Sequence, residues 1–149
     1  MKKTWTRRLT AAAAALIVAA GCAGTAIAAG NPAEDAAAMK RVTAGERQLG
    51  TFAPKFAELN DKVLFGEVWS RTEELSLHDR SMITVTALVS SGIADSSLRS
   101  HIARAKANGV TQQEMAELLT QTAFYAGWPK AWAAFRIAKE VYQPAPAEN

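Results

Sequence analysis

The chain has 149 residues, 17 of them basic and 14 acidic, which is enough for one domain with a modest core. Four of the basic residues and none of the acidic ones lie within residues 1–28, so the rest of the chain carries 13 basic and 14 acidic residues. Its formal charge of −1 gives no argument for binding nucleic acid or an anionic membrane surface.

Residues 1–28 have the pattern of a secretory signal peptide. Two lysines and two arginines precede an alanine-rich apolar run that is shorter than the roughly 20 apolar residues a membrane-spanning helix needs. Small residues at positions 26–28 predict cleavage after Ala28 and a periplasmic or secreted protein. Two alternatives stay open. Residues 18–22 resemble a lipoprotein cleavage box, which would lipidate Cys22 and attach the protein to a membrane. Thr6-Arg7-Arg8 resembles part of a twin-arginine signal.

Cys22 is the single cysteine of the chain, so a mature protein that begins at Ala29 contains no thiol. Disulfides, thiolate catalysis and cysteine metal ligands are then excluded. The two histidines, His78 and His101, are too far apart in the sequence to form a metal-binding motif. The sequence therefore predicts no metal site and no redox chemistry based on cysteine.

Helix-starting and helix-ending residues recur through the mature chain and no alternating strand pattern persists, which predicts an all-α domain. Residues 29–36 are predicted to be a flexible entry segment and residues 143–149 a disordered tail, since the tail has two prolines and no apolar anchor. The first helix is predicted over residues 36–49. A second begins at Pro54, and a separate short helical piece follows Gly66.

The next helix is predicted over residues 77–91, because Ser76 and Asp79 have the spacing of a capping box. It is apolar on most sides, which predicts a central and buried position. Asp95 or Ser96 is predicted to cap the helix that follows.

A second capping box, Thr111 with Glu114, begins another helix, and Gly127 separates it from the last one. Tyr125, Trp128 and Trp132 lie around this break. Aromatic side chains at such a place line a pocket or a subunit contact, although core packing is the default expectation for at least two of them.

His101 is the first candidate for chemistry. It lies three residues after Leu98 and four before Ala105, at the edge of the apolar face of its helix, and Arg104 lies near the same edge. An imidazole there is suited to carry protons or bind an anion, because it titrates near neutrality. On spacing alone, a half-buried histidine bonded to a carbonyl oxygen is the favoured interpretation.

Glu67 and Arg80 are the other candidates. Glu67 lies next to apolar residues, where a carboxyl group can act as an acid or base, although a solvated loop residue is the simpler interpretation. Arg80 lies one turn into a mostly apolar helix. It is predicted either to bind a substrate carboxylate or to form an ion pair with Glu67, Glu73 or Asp79.

Five segments together resemble the carboxymuconolactone decarboxylase family over about residues 38–142. The segments are Leu-Phe-Gly-Glu-Val-Trp-Ser-Arg at 64–71, Leu-Ser-Leu-His-Asp-Arg-Ser-Met-Ile-Thr at 75–84, Leu-Arg-Ser-His-Ile-Ala-Arg-Ala at 98–105, Asn-Gly-Val-Thr at 108–111 and Phe-Tyr-Ala-Gly-Trp-Pro-Lys-Ala at 124–131. The resemblance implies a single all-α domain of about six helices with the alkylhydroperoxidase D-like fold. It also implies protomers that associate through buried helices, commonly as homotrimers or homohexamers.

The family resemblance separates two chemistries. The alkylhydroperoxidase-like branch uses a Cys-x-x-Cys pair just before the helical histidine, and the corresponding positions here are Ala94 and Ser97. Antioxidant peroxidase activity is therefore the disfavoured alternative. The decarboxylase branch lacks the pair, keeps the histidine, corresponding to His101, and needs no cofactor.

The resemblance thus implies a cofactor-independent lyase acting on a small anionic lactone or a related carboxylate. Arg80 is assigned to anion binding, His101 to proton transfer or oxyanion stabilisation, and Glu67 to positioning or acid–base work. The predicted substrate-binding residues are Trp69, Arg104, Tyr125 and Trp128. A non-catalytic small-molecule binding protein is the third possibility. The pathway named by the family is cytoplasmic whereas the leader predicts export, so the substrate stays defined by chemical class.

Overall fold

A computed structural model describes residues 31–143, and within them every regular element is helical. The all-α prediction is confirmed. The elements are α1 (Pro32–Lys40), α2 (Ala44–Leu49), α3 (Pro54–Glu58), a π-helix (Leu59–Trp69), α4 (Leu77–Ser90), α5 (Ser96–Ala107), α6 (Gln112–Ala126) and α7 (Trp128–Tyr142). The predicted signal peptide and residues 144–149 of the predicted tail lie outside the described residues.

The N-terminal helix differs from its prediction at both ends. The side chain of Asn31 accepts a hydrogen bond from the backbone N–H of Ala33 at 3.1 Å, and Pro32 suits the first turn, so α1 already begins within the segment predicted to be flexible. The single helix predicted over residues 36–49 is in fact two, α1 and α2. Residues 41–43 separate them, and there Val42 packs against an aromatic cluster described below.

A carboxylate from a distant segment holds the start of α2. The two oxygens of Asp61 accept hydrogen bonds from the backbone N–H groups of Gly45 and Glu46, at 2.8 and 2.9 Å. Gly45 must be small here, because a Cβ atom would lie 2.8 Å from the carbonyl oxygen of Ala57. Together these contacts pack α2 onto α3 and the π-helix.

The π-helix continues directly from α3 and spans 11 residues. The predicted break at Gly66 is wrong, since Gly66 lies inside this helix and its carbonyl oxygen accepts a hydrogen bond from Ser70 Oγ at 2.6 Å. Long π-helices are rare, and π-type turns occur frequently at functional sites. This element is therefore a first structural indication of where such a site lies.

The predicted helix starts of the C-terminal half are confirmed by their caps. The side chains of Ser76 and Asp95 accept hydrogen bonds from backbone N–H groups of α4 and α5, at 3.0 and 2.8 Å. Thr111 and Glu114 form the complete capping box of α6, each side chain accepting from the other residue's backbone N–H. Gly127, with a φ of 108°, separates α6 from α7.

Helices α4 to α7 enclose the main hydrophobic core. Its buried members are Val85, Val89, Leu98, Ile102, Ala105, Val110, Met115, Leu118, Leu119, Ala134 and Ala138. The prediction that α4 is buried on most sides is only partly right, because Ile83 on this helix is 58% exposed.

A second, smaller cluster consists of Phe65 and Trp69 of the π-helix and Leu77 of α4, with Met39 and Val42 packed against it. It joins the N-terminal helices to the rest of the molecule. None of the helices within residues 31–143 has the length and apolar character needed to cross a bilayer.

Candidate functional site

The candidate site lies where α5 meets the π-helix. Leu98, Ile102 and Ala105 are completely buried and fix α5 against the main core. His101 and Arg104 are three residues apart on the same helix, so their side chains are neighbours, and both are half-buried. The sequence-based placement of these two residues at the edge of the apolar face is consistent with their position in the fold.

Arg104 lies over two aromatic rings of the π-helix. Its guanidinium carbon is 4.8 Å from the ring centroid of Phe65 and 5.9 Å from that of Trp69. The rings are 5.8 Å apart and tilted by 45°. The negative face of an aromatic ring attracts a cation, so this pair of rings holds the guanidinium in place. Trp69 was predicted to contact substrate, and the structure places its buried ring beneath Arg104.

The guanidinium of Arg104 is held by stacking on aromatic rings. Within residues 31–143 it makes no hydrogen bond or ion pair, and the same is true of the imidazole of His101. No buried side-chain nitrogen or oxygen in this part of the chain lacks a partner. The unbonded nitrogens of Arg104 and His101 are therefore accessible to solvent or to a ligand. The favoured interpretation of His101 from spacing, a bond to a carbonyl oxygen, is wrong.

The surroundings of His101 and Arg104 disfavour the charged form of each side chain. Burial lowers the pKa of His101, and the neighbouring Arg104 lowers it further. Burial also lowers the pKa of Arg104. Both effects on His101 favour its neutral form. An anion bound between the two side chains would favour the charged form of each and would raise the pKa of His101.

Arg80 is placed differently. Its Nε donates a hydrogen bond to the carbonyl oxygen of Leu75 at 3.2 Å, and a terminal nitrogen donates to that of Arg71 at 2.9 Å. The ion pair considered as an alternative is absent from the described residues: Asp79 instead contacts His78, and Glu67 and Glu73 form no ion pair. Arg80 thus fastens the loop before α4, and two of its donors are already occupied.

Glu67 is exposed on the π-helix. It lies two positions from both Phe65 and Trp69, which is about half a helical turn away from the face that Arg104 covers. No hydrogen bond or ion pair within residues 31–143 links Glu67 to His101 or Arg80. The role assigned to Glu67 stays a prediction.

The aromatic residues near Gly127 do not pack in the core. Tyr125 is 83% exposed, Trp128 56% and Trp132 61%, so the default expectation of core packing is wrong for all three. Trp128 instead makes an edge-to-face contact with Phe124, whose ring centroid is 5.6 Å away. These residues form an apolar surface where α6 ends and α7 begins, and the roles predicted for Tyr125 and Trp128 in substrate binding stay predictions.

One residue of the site, Phe65, was missed in the sequence. Phe65 is the closer aromatic partner of Arg104. Its spacing of four residues from Trp69 could have indicated that the two rings lie on the same face of a helix. Outside the site, His78 connects the starts of α4 and α6, since its Nδ1 lies 2.9 Å from Asp79 and its Nε2 lies 3.4 Å from Glu114. Within the described residues no three His, Cys, Asp or Glu side chains are grouped as metal ligands.

Known proteins resemble this chain over more than half of its length. The sequence matches the carboxymuconolactone decarboxylase family over residues 54–140, a span that includes the π-helix and α5. It is 36% identical to the 4-carboxymuconolactone decarboxylase of Acinetobacter baylyi over 104 residues, which cover 70% of this chain and 76% of that protein. It is also 34% identical over 79 residues to an uncharacterized 15.0 kDa protein of Paracoccus denitrificans, covering 52% of this chain and 58% of that one.

Proposed function

Because this chain belongs to the carboxymuconolactone decarboxylase family, with its alkylhydroperoxidase D-like helical fold, we propose that it is a decarboxylase of a small anionic lactone or a related carboxylate. The observation that carries the proposal is the stacked guanidinium of Arg104, which has no acceptor within residues 31–143 and lies beside the imidazole of His101. A carboxylate would complete the hydrogen bonding of that guanidinium through the two-pronged geometry that arginine offers.

Decarboxylation of such a substrate needs no bound cofactor. When the bond between the ring carbon and the carboxyl group breaks, its electron pair moves into the conjugated lactone and onto the carbonyl oxygen. Carbon dioxide leaves, and a proton is then added to carbon. The protein has to hold the molecule in one orientation, stabilise charge on the lactone oxygen and supply that proton.

Arg104 and His101 divide these tasks in the proposal. Arg104 holds a carboxylate of the substrate against the face of α5, and the aromatic rings beneath it limit its movement. The negative charge of the bound substrate raises the pKa of His101, so the imidazole takes up a proton when substrate is present. The imidazolium then donates that proton to the carbon or to the lactone oxygen.

Glu67, Tyr125 and Trp128 are exposed in the single chain, so their part in the proposal depends on assembly. We propose that the chain forms a homotrimer or homohexamer in which its exposed apolar side chains are covered by another copy. The large apolar side chains that support this are Phe52, Phe56, Leu59, Val63, Leu64, Val68, Ile83, Phe124, Tyr125, Trp128 and Trp132. Light scattering of the purified protein tests the assembly, and a monomer at micromolar concentration would contradict it.

The peroxidase alternative has no support from the residues near His101. The positions at which the related peroxidases carry their reactive cysteines hold Ala94 and Ser97, and the chain's one cysteine is Cys22. A dithiol-dependent peroxide reduction therefore has no nucleophile at this site.

The proposed activity is tested by measuring carbon dioxide release from 4-carboxymuconolactone and from other small carboxylated lactones. We expect His101→Gln to lower kcat/KM by about 10²- to 10⁴-fold, the usual contribution of a general acid or base. His78→Gln is the matched control, because His78 lies outside the site, and it should retain activity within about twofold. If the wild type is active and His101→Gln keeps that activity, the assignment of His101 is overturned. If the wild type binds these lactones without turning them over, the protein is a binding protein instead.

A further inference from the structure

A cavity of about 150 Å³ opens between the first half of α6 and the second half of α7, away from His101 and Arg104. It arises because the facing positions on these two packed helices include Ala116 and Ala138, whose side chains are too small to fill the space between the backbones. An apolar cavity of about this volume is known to accept a single benzene ring.

The inner wall of the cavity is apolar. Met115 and Leu119 of α6 contribute buried side chains, and Phe135 of α7 provides an aromatic wall. Tyr142 closes one side, and its hydroxyl donates a hydrogen bond to the carbonyl oxygen of Val110 at 2.8 Å, which fixes the ring. A ligand that enters this space removes its own apolar surface from water without having to displace a packed side chain.

The charged side chain that lines the cavity is a lysine. Lys139 is the one ionisable side chain among the lining residues apart from Tyr142, and within residues 31–143 its ammonium group makes no hydrogen bond or ion pair. Burial, together with the negative charge of Glu114 nearby, raises the pKa of Tyr142 to about 12, so this phenol stays neutral at physiological pH. Gln112 and Gln143 add amide groups that can donate hydrogen bonds.

We propose that this cavity binds a small monocyclic carboxylate, with its ring against Met115, Leu119 and Phe135 and its carboxylate at Lys139. The volume of about 150 Å³ suits a ring of about the size of benzene, and the lysine selects an anion over a neutral or cationic molecule of the same shape. This site is separate from the proposed decarboxylation site, because none of its lining residues belongs to α5 or to the π-helix.

The proposal is tested by titrating the full chain with 4-fluorobenzoate and following the fluorine NMR signal of the ligand, which works for any state of assembly. We expect saturable binding, with weaker binding of 4-fluorobenzamide and of 4-fluorobenzylamine. Ala116→Leu should abolish it by filling the cavity. Lys139→Gln should weaken it by about two- to fivefold, the range for a solvent-exposed charge pair.

Two control variants make the result specific. Arg136→Gln removes an equal charge from the same helix at an exposed position outside the cavity, and Arg104→Gln alters the proposed decarboxylation site. Both should leave the affinity for 4-fluorobenzoate unchanged. The proposal is overturned if binding does not saturate, if 4-fluorobenzylamine binds as tightly as 4-fluorobenzoate, or if Arg104→Gln abolishes binding while Lys139→Gln does not. The last result would place the ligand at the decarboxylation site and support that function alone.

Discussion

The two halves of the described chain differ in how well each is packed by its own residues. In α4 to α7 the central apolar side chains are almost completely buried, with Val85, Leu98 and Leu119 at 0% exposure. Along α3 and the π-helix, by contrast, Phe56 is 61% exposed and Leu64 42%. The main core lies among α4 to α7, which expose large apolar side chains chiefly where α6 meets α7. In α3 and the π-helix, by contrast, most of the large apolar side chains stay in contact with solvent.

The candidate site lies at the boundary between these halves. Arg104 is carried by α5, which packs in the main core, and it stacks on rings that belong to the π-helix. Helix α5, packed in the main core, can hold Arg104 in a defined position. The π-helix is more exposed, so the side of the site that it forms can adjust to a ligand. The following predictions test this division of roles.

The largest expected effect is on stability. Leu119→Ala should lower the free energy of unfolding by about 2–5 kcal/mol, because it removes a completely buried side chain from the main core. The matched variant Leu64→Ala should cost less than about 1 kcal/mol, since 42% of that residue is already exposed, and should instead weaken assembly. Chemical denaturation of both variants measures the difference. Equal losses would show that the two halves are packed to the same degree.

The second prediction separates the two arginines. Arg104→Gln should raise KM for a carboxylated substrate by about 10- to 100-fold, the value of a hydrogen bond to a charged group, with little loss of stability. Arg80→Gln should instead lower the free energy of unfolding by about 1–3 kcal/mol, because it removes the bonds to the carbonyl oxygens of Leu75 and Arg71. If Arg80→Gln raises KM and Arg104→Gln does not, the anion is bound at Arg80.

The smallest expected effect concerns the contact between the starts of α4 and α6. The hydrogen bond to Asp79, followed by the contact with Glu114, raises the pKa of His78. The stability that this histidine contributes is therefore fully present below its ordinary pKa of about 6.5 and is lost as the pH rises through its raised value. His78→Gln should remove up to about 1 kcal/mol at pH 6 and almost nothing at pH 9, as measured by denaturation at both values. An equal loss at both pH values would contradict the ion-pair interpretation.

Features that depend on neighbours in the sequence were predictable. Ser76, Asp95 and the pair Thr111 with Glu114 start their helices as expected, because a cap acts within one helical turn. Asn31 was missed although its cap is equally local. The π-helix was not predicted, since its hydrogen-bond pattern leaves no period in the sequence that distinguishes it from an α-helix.

The geometry of the site depends on tertiary contacts that no sequence pattern indicates. The acceptors of Arg80 are backbone carbonyls, which every residue carries, so no pattern of side chains indicated them. The rings under Arg104 lie more than 30 positions earlier in the chain, and only the packing of α5 against the π-helix brings them together. Spacing alone identified His101 and Arg104 as neighbours but could not show that their polar groups are free of partners within the described residues.

The most direct test of the central claim is the ionisation of His101 in the presence and absence of an anion. NMR titration of the protein labelled with ¹³C-histidine should give a pKa for His101 below about 6.5 in the free protein, because of burial and Arg104. A saturated carboxylated lactone, which cannot decarboxylate, should raise that pKa and leave His78 unchanged, and Arg104→Gln should suppress the rise. A pKa of His101 that does not respond to the bound lactone would show that His101 and Arg104 do not form the anion site.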